Sequence, residues 1–90
     1  MYLSKKDPDK RVVIYGAGSA GIQLANALRV SKEVQPIAFL DDNPSLHGTY
    51  LGGIKVLNPT RLERLSQRKK VDEVLIAIPS ASRSTLLSLL

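Results

Sequence analysis

The chain contains no cysteine and no tryptophan. Without cysteine there is neither a disulfide framework nor a thiolate metal site. The single histidine, His47, cannot make a zinc site alone. Three tyrosines and one phenylalanine are too few rings for base stacking, and no RNA-binding signature occurs, so nucleic acid is not expected as a partner. No apolar run approaches the ~20 residues that a membrane helix needs. The first ten residues are mostly polar and charged, unlike a signal peptide.

With 90 residues the chain is one domain, and the scaling of surface with size makes its core modest, hiding about 60–65% of the unfolded surface. Its balance of 43% hydrophobic and 23% charged residues is that of a folded globular chain, not a disordered one. Thirteen Lys and Arg against eight Asp and Glu give a net charge of +5. Such a bias is met by a solvated surface, and it suits an anionic ligand or an acidic membrane surface better than it suits nucleic acid.

The most informative stretch is Arg11 to Gly21. Four β-favouring residues, Val12 to Tyr15, run into Gly16-Ala17-Gly18-Ser19-Ala20-Gly21, and a helical pattern follows. Strand, glycine turn and helix in that order suit a dinucleotide or another phosphate ligand. Gly16 permits the sharp turn, Gly18 lets a pyrophosphate approach the backbone, and Gly21 permits close helix packing. The helix start offers unpaired N–H groups and a positive dipole end. A second apolar run, Ile37 to Leu40, ends in Asp41-Asp42, with Asp41 placed 20 residues after Gly21 (41 − 21). A carboxylate at about that separation accepts hydrogen bonds from the adenosine ribose and repels a 2′-phosphate, which favours NAD over NADP.

Residues 1–10 lack periodicity and read as a linker or arm. Tyr2 and Lys6 have a Tyr-x-x-x-Lys spacing, but they precede the first strand and so lie in the wrong context for a catalytic pair. A helix is expected from about Ser19 to Val30, with Gly21, Leu24, Ala25 and Leu28 on one stripe. A second strand is expected over Val34 to Leu40, with Pro36 near its start. Asp41 to Gly53 reads as a loop, with turn signals at Asn43-Pro44 and Gly52-Gly53. Asp42 and Asn43 have side chains that can shape its first turn, and His47 reads as an exposed loop residue. Ile54 to Leu57 is a short third strand. Asn58-Pro59 opens a second helix, and Thr60 with Glu63 offers an alternative capping box. Arg68, Lys69 and Lys70 then sit where cations offset the helix dipole. Val71 to Ile78 is a fourth strand. Its unbroken apolar run from Val74 predicts burial on both faces. A helix beginning near Ser82 is left with its leucines uncovered at Leu90, which suggests part of a longer domain.

This alternation predicts an α/β fold, a three-layer Rossmann-like parallel sheet of strand order 3-2-1-4, incomplete at its carboxyl end and spanning residues 11–90. Ligands bind where the order reverses, between the first and fourth strands. The candidate cofactor-binding set is therefore Gly16, Ala17, Gly18, Ser19, Ala20, Gly21, Asp41, Asp42, Pro79, Ser80 and Arg83, with no catalytic and no metal residues. Ser80 and Arg83 also have a structural use, in capping the last helix and pairing on its surface.

At Ile14-Tyr-Gly-Ala-Gly18, Phe39-Leu-Asp-Asp42 and Ile76-Ala-Ile-Pro-Ser-Ala-Ser-Arg83, the chain resembles a known domain. It is the Rossmann-like domain of bacterial membrane-associated nucleotide-sugar dehydratases, 4-dehydrogenases and epimerases of surface-polysaccharide biosynthesis. The resemblance implies NAD as cofactor, a UDP-sugar as the parent's substrate, and the cytoplasmic face of the inner membrane as its place. Lys5, Lys6, Lys10 and Arg11 would then lie just beyond the membrane. Membrane contact would come only through segments absent from this sequence, and a homo-oligomer is compatible with the resemblance. No position here matches the family's catalytic residues, so no turnover is expected of this piece alone. Similar domains front sugar acyltransferases and membrane sugar-phosphate transferases. They imply the alternative of a regulatory module for UDP-sugar or coenzyme A. The acyltransferases carry a glycine-glycine-histidine loop, from which Ser19-Ala20-Gly21 departs.

Overall fold

The computed structural model describes residues 10–32 and 34–77. Strand β1, Arg11–Tyr15, lies inside the sheet. It pairs in parallel with β2, Gln35–Leu40, on one side. Beyond β2 come β3, Tyr50–Leu51, and β4, Ile54–Leu57. On the other side of β1 lies β5, Glu73–Ile76, also parallel. The full order is β3-β4-β2-β1-β5. The four expected strands, in the order 3-2-1-4, correspond to β4-β2-β1-β5.

The additional strand β3 falls inside the stretch read as a loop, Asp41 to Gly53. It pairs antiparallel with β4 through Tyr50↔Lys55 and Leu51↔Ile54. Gly52 (φ 58°) and Gly53 (φ 84°) both occupy the left-handed region. A two-residue turn with two positive φ angles matches the twist of a hairpin, so this Gly-Gly closes one rather than merely bending a loop. The Arg29 guanidinium donates to the Gly52 carbonyl and ties the hairpin to the helix described next.

Helix α1, Ser19–Ser31, covers one face of the sheet. Its Leu24, Ala25 and Leu28 pack with Ile14, Phe39, Ile54 and Val56. Helix α2, Leu62–Arg68, covers the other. There Leu62 and Leu65 pack with Val13, Ala38 and Leu40. Consecutive residues Val12, Val13 and Ile14 are all buried, as a doubly covered parallel strand requires. Phe39 is among the largest fully buried side chains, and burying a side chain of that size contributes about 1.5–3 kcal/mol.

Three local departures have physical causes. The β1–β2 register jumps between Val12↔Pro36 and Val13↔Ala38, which leaves Ile37 unpaired. A bulge next to Pro36 absorbs the missing N–H. The second helix opens as a 3-10 turn, Pro59–Arg61. There the Asn58 side chain accepts from the Thr60 N–H at 3.0 Å, so Asn58 is the cap and the regular helix starts only at Leu62. The fourth predicted strand is shorter than Val71 to Ile78. At its start the Asp72 carboxylate accepts from the Arg11 N–H at 2.7 Å in place of a strand carbonyl. The double burial predicted for this strand is also incomplete: Val74 is 37% and Ile76 70% exposed. Their register with Val13 and Tyr15 puts them on the face of α2, which packs over β1 and β2 instead. The predicted helix from Ser82 lies outside the described residues.

Candidate functional site

The glycine loop joins β1 to α1, and its three glycines serve three different purposes. Gly16 has φ 116° and donates its N–H to the Leu40 carbonyl at 2.7 Å. A Cβ there would lie 2.4 Å from the Ala77 carbonyl oxygen, so the loop passes directly against the end of β5. At Gly21 a Cβ would stand 1.8 Å from the Gly16 carbonyl oxygen, with the Phe39 ring at 3.5 Å. The first turn of α1 therefore rests on the loop itself as well as on the strand layer. Gly18 differs from both: among the described residues nothing lies within 4 Å of where its Cβ would be. Its φ of −84° and ψ of −165° suit any residue, so glycine is not demanded there by fold or by a protein neighbour.

Gly18 is also the cap of α1, with no side chain capping the helix and no acid in its first turn. The first intrahelical bond runs from the Ile22 N–H to the Gly18 carbonyl at 3.0 Å. The amides of the opening turn precede that bond and face outward with the positive end of the helix dipole. Gly18 and Ser19 are exposed, Ala20 is half-buried, and Ala17 is buried.

Asp41, just past β2, faces this loop. Its Oδ2 accepts from the Ala17 N–H at 2.8 Å, and its Oδ1 from the Asn43 N–H at 2.9 Å. The Ala17 bond, then the Asn43 bond, holds the carboxyl below the usual aspartate range, because both favour the charged form. Asp41 is therefore ionised at neutral pH. Each oxygen accepts one protein bond and retains a lone pair, enough to receive a vicinal diol.

Two further bonds at this edge were not anticipated. The Tyr15 hydroxyl donates to Asp42 Oδ1 at 2.7 Å. That bond, above all, raises the phenol's pKa and keeps it neutral. Asp42 thus joins the ends of β1 and β2, while the turn-shaping role considered for it belongs to Asp41 and Asn43. His47, read as an exposed loop residue, is half-buried, with Nε2 2.6 Å from the Asp41 carbonyl oxygen. A carbonyl only accepts, so Nε2 carries a proton. The sequence signals were thin: a tyrosine ending a strand, and a histidine six residues past an acid.

The structure thus gathers Gly16, Ala17, Gly18, Ser19, Ala20, Gly21, Asp41 and Asp42 at one end of the sheet. Pro79, Ser80 and Arg83 lie outside the described residues, although Ala77 brings the chain to Gly16 just before them. Among the described residues no group of three or more His, Asp or Glu could hold a metal. Among the described residues the phenol–carboxylate contact at this edge is Tyr15 with Asp42, and it stabilises the neutral phenol rather than a nucleophile.

Known proteins share this fold. The crystal structure of UDP-D-quinovosamine 4-dehydrogenase from Vibrio fischeri superposes with a TM-score of 0.76 at 47% identity, over 90% of this chain and 70% of that one. The probable polysaccharide biosynthesis protein EpsC of Bacillus subtilis (strain 168) is 32% identical over 79 residues, 84% of this chain. The chain spans only 13% of that relative's length. RSP, solved with β-NAD+ and operator DNA, matches at a TM-score of 0.68 and 25% identity, over 88% of this chain and 37% of that one. RSP is a Rex-family repressor. The family described as C2185-like, N-terminal matches residues 8–84, and this Rossmann-like chain belongs to it.

Proposed function

We propose that the chain is the NAD-binding domain of a nucleotide-sugar-modifying oxidoreductase or dehydratase of bacterial surface-polysaccharide biosynthesis. The observation that carries this reading is the open space at Gly18 beside the ionised Asp41. A diphosphate would lie over Gly18 and take the amides of Ser19 and Ala20. Asp41 would receive the ribose diol, and its charge would repel a 2′-phosphate. Gly16 and Gly21 shape the loop, and Ala17 anchors it to Asp41. Asp42, tied to Tyr15, borders the sugar, while Pro79, Ser80 and Arg83 would approach from the β5 side. The likeness to a UDP-sugar 4-dehydrogenase and to a repressor solved with NAD+ supports both halves of the proposal. The parent enzyme would work at the cytoplasmic face of the inner membrane.

A second reading keeps the crevice and changes its ligand: a regulatory module for a UDP-sugar or coenzyme A. It is favoured by the Tyr15–Asp42 bond, which holds the phenol neutral and provides no base. Calorimetry with NAD, NADP, UDP-N-acetylglucosamine and coenzyme A separates the two. NAD is expected to bind, and Gly18→Val to weaken it at least about tenfold, some 1.4 kcal/mol, with the melting temperature little changed. Binding of a UDP-sugar or coenzyme A instead of NAD would establish the second reading. Silence across the panel, or undiminished affinity in the valine variant, would reject the site.

A further inference from the structure

A cavity of about 400 Å3 at the end of β4 is lined by His47, Gly48, Lys55, Asn58, Thr60 and Arg61 together with Val56 and Leu57, and by no residue of the glycine loop. We propose that it binds the phosphate of a second, small phosphorylated molecule, independently of the nucleotide crevice.

The charge pattern is one-sided. No acidic residue occurs in the sequence between Asp42 and Glu63, whereas His47, Lys55 and Arg61 fall within that interval. Neither Asp42 nor Glu63 lines the cavity. Among the described residues the side-chain ion pairs, Lys10–Glu73 and Lys70–Asp72, both lie on the β5 side of the sheet. Lys55 has instead the face of the Tyr50 ring, with its Nζ 5.9 Å from the centroid, a contact that leaves the ammonium free to take an anion.

The neutral groups of the wall point the same way. The Asn58 carboxamide oxygen is already occupied by the N–H and hydroxyl of Thr60, each at 3.0 Å, so its amide NH2 is what remains to offer. His47 is fixed against the Asp41 carbonyl, which holds the ring at the cavity wall. Cations and donors without a competing carboxylate recognise an oxyanion through charge-assisted hydrogen bonds. A volume of this size admits a phosphate ester with a small organic body. A neighbouring cavity of about 160 Å3 shares Leu57 and Arg61 and adds Arg64 and Arg68, which extends the positive field beyond Arg61.

The test is a titration of the 15N-labelled chain with inorganic pyrophosphate, followed by amide shifts. Saturable shifts at Gly48, Lys55, Thr60 and Arg61 are expected. The double change Lys55→Gln with Arg61→Gln should weaken them at least tenfold, and Lys55→Glu with Arg61→Glu should abolish them. Gly18→Val should leave them unchanged, which separates this site from the nucleotide crevice. Shifts confined to residues 16–21, saturable shifts nowhere, or loss in the Gly18→Val variant would each overturn the proposal.

Discussion

The two flanks of β1 are built differently. On the β2 flank, Ala38, Phe39 and Leu40 are buried, and the strand ends in a set of specific polar bonds from Asp41 to Ala17 and from Asp42 to Tyr15. On the β5 flank the described contact with the loop is close and apolar, where the Ala77 carbonyl lies against Gly16 and Ala77 packs with Ile14 and Ala17. Two of that strand's apolar side chains, Val74 and Ile76, stand in the open. One flank therefore fixes where a ligand's charged and hydroxyl groups would sit. The other, among the described residues, supplies a wall without such polar bonds to the loop.

The largest effect that would break this contrast is in the core. Phe39→Ala should cost about 3–5 kcal/mol through lost burial and a residual cavity. The equivalent truncation on the other flank, Ile76→Ala, should stay within about 0.5 kcal/mol, as for an exposed side chain. Chemical denaturation of both variants decides it. A loss above about 2 kcal/mol at Ile76 would mean that its face is covered in the folded protein.

Next in size is the loop. Gly21→Ala drives a methyl group to 1.8 Å from the Gly16 carbonyl oxygen. Backbone must yield, so a loss of about 2–3 kcal/mol is expected, as for an overpacked core. Gly18→Ala should cost less than about 1 kcal/mol, because its conformation already suits alanine and what is lost is a glycine helix cap. Equal losses at the two positions in thermal melts would erase the distinction between a structural glycine and one kept clear for a ligand.

That distinction is only half visible in the sequence. The Gly-x-Gly-x-x-Gly spacing, the strand before it and the acid 20 residues on are enough to locate the loop and its partner. The four parallel strands followed from their apolar runs. The β3–β4 hairpin escaped because a two-residue strand carries almost no pattern of its own; Gly52-Gly53 had to be read as a turn with two positive φ angles. Tyr15 and His47 escaped because their bonds go to Asp42 and to a backbone carbonyl, partners that only the packing of β1 beside β2 brings near. The exposure of Val74 and Ile76 was illegible for a related reason: an apolar run indicates that burial is wanted, not which element supplies it.

The smallest effect tests how Asp41 holds the loop. Its folded-state pKa lies below the ordinary value, chiefly through the Ala17 N–H, so on acidification the unfolded chain takes up its proton first. The stabilisation is thus fully present above the unfolded value of about 3.9. It fades as the pH falls from there through the folded value. Asp41→Asn keeps the shape but exchanges a charged acceptor for a neutral one, which should cost about 1–2 kcal/mol at pH 7. The gap between wild type and variant should narrow as melts are moved from pH 7 toward pH 3, because protonation removes from the wild type what the substitution has already removed. A gap of constant size across that range would show that shape, not charge, joins the end of β2 to the glycine loop, and the ionised carboxylate on which the nucleotide proposal depends would have no energetic signature.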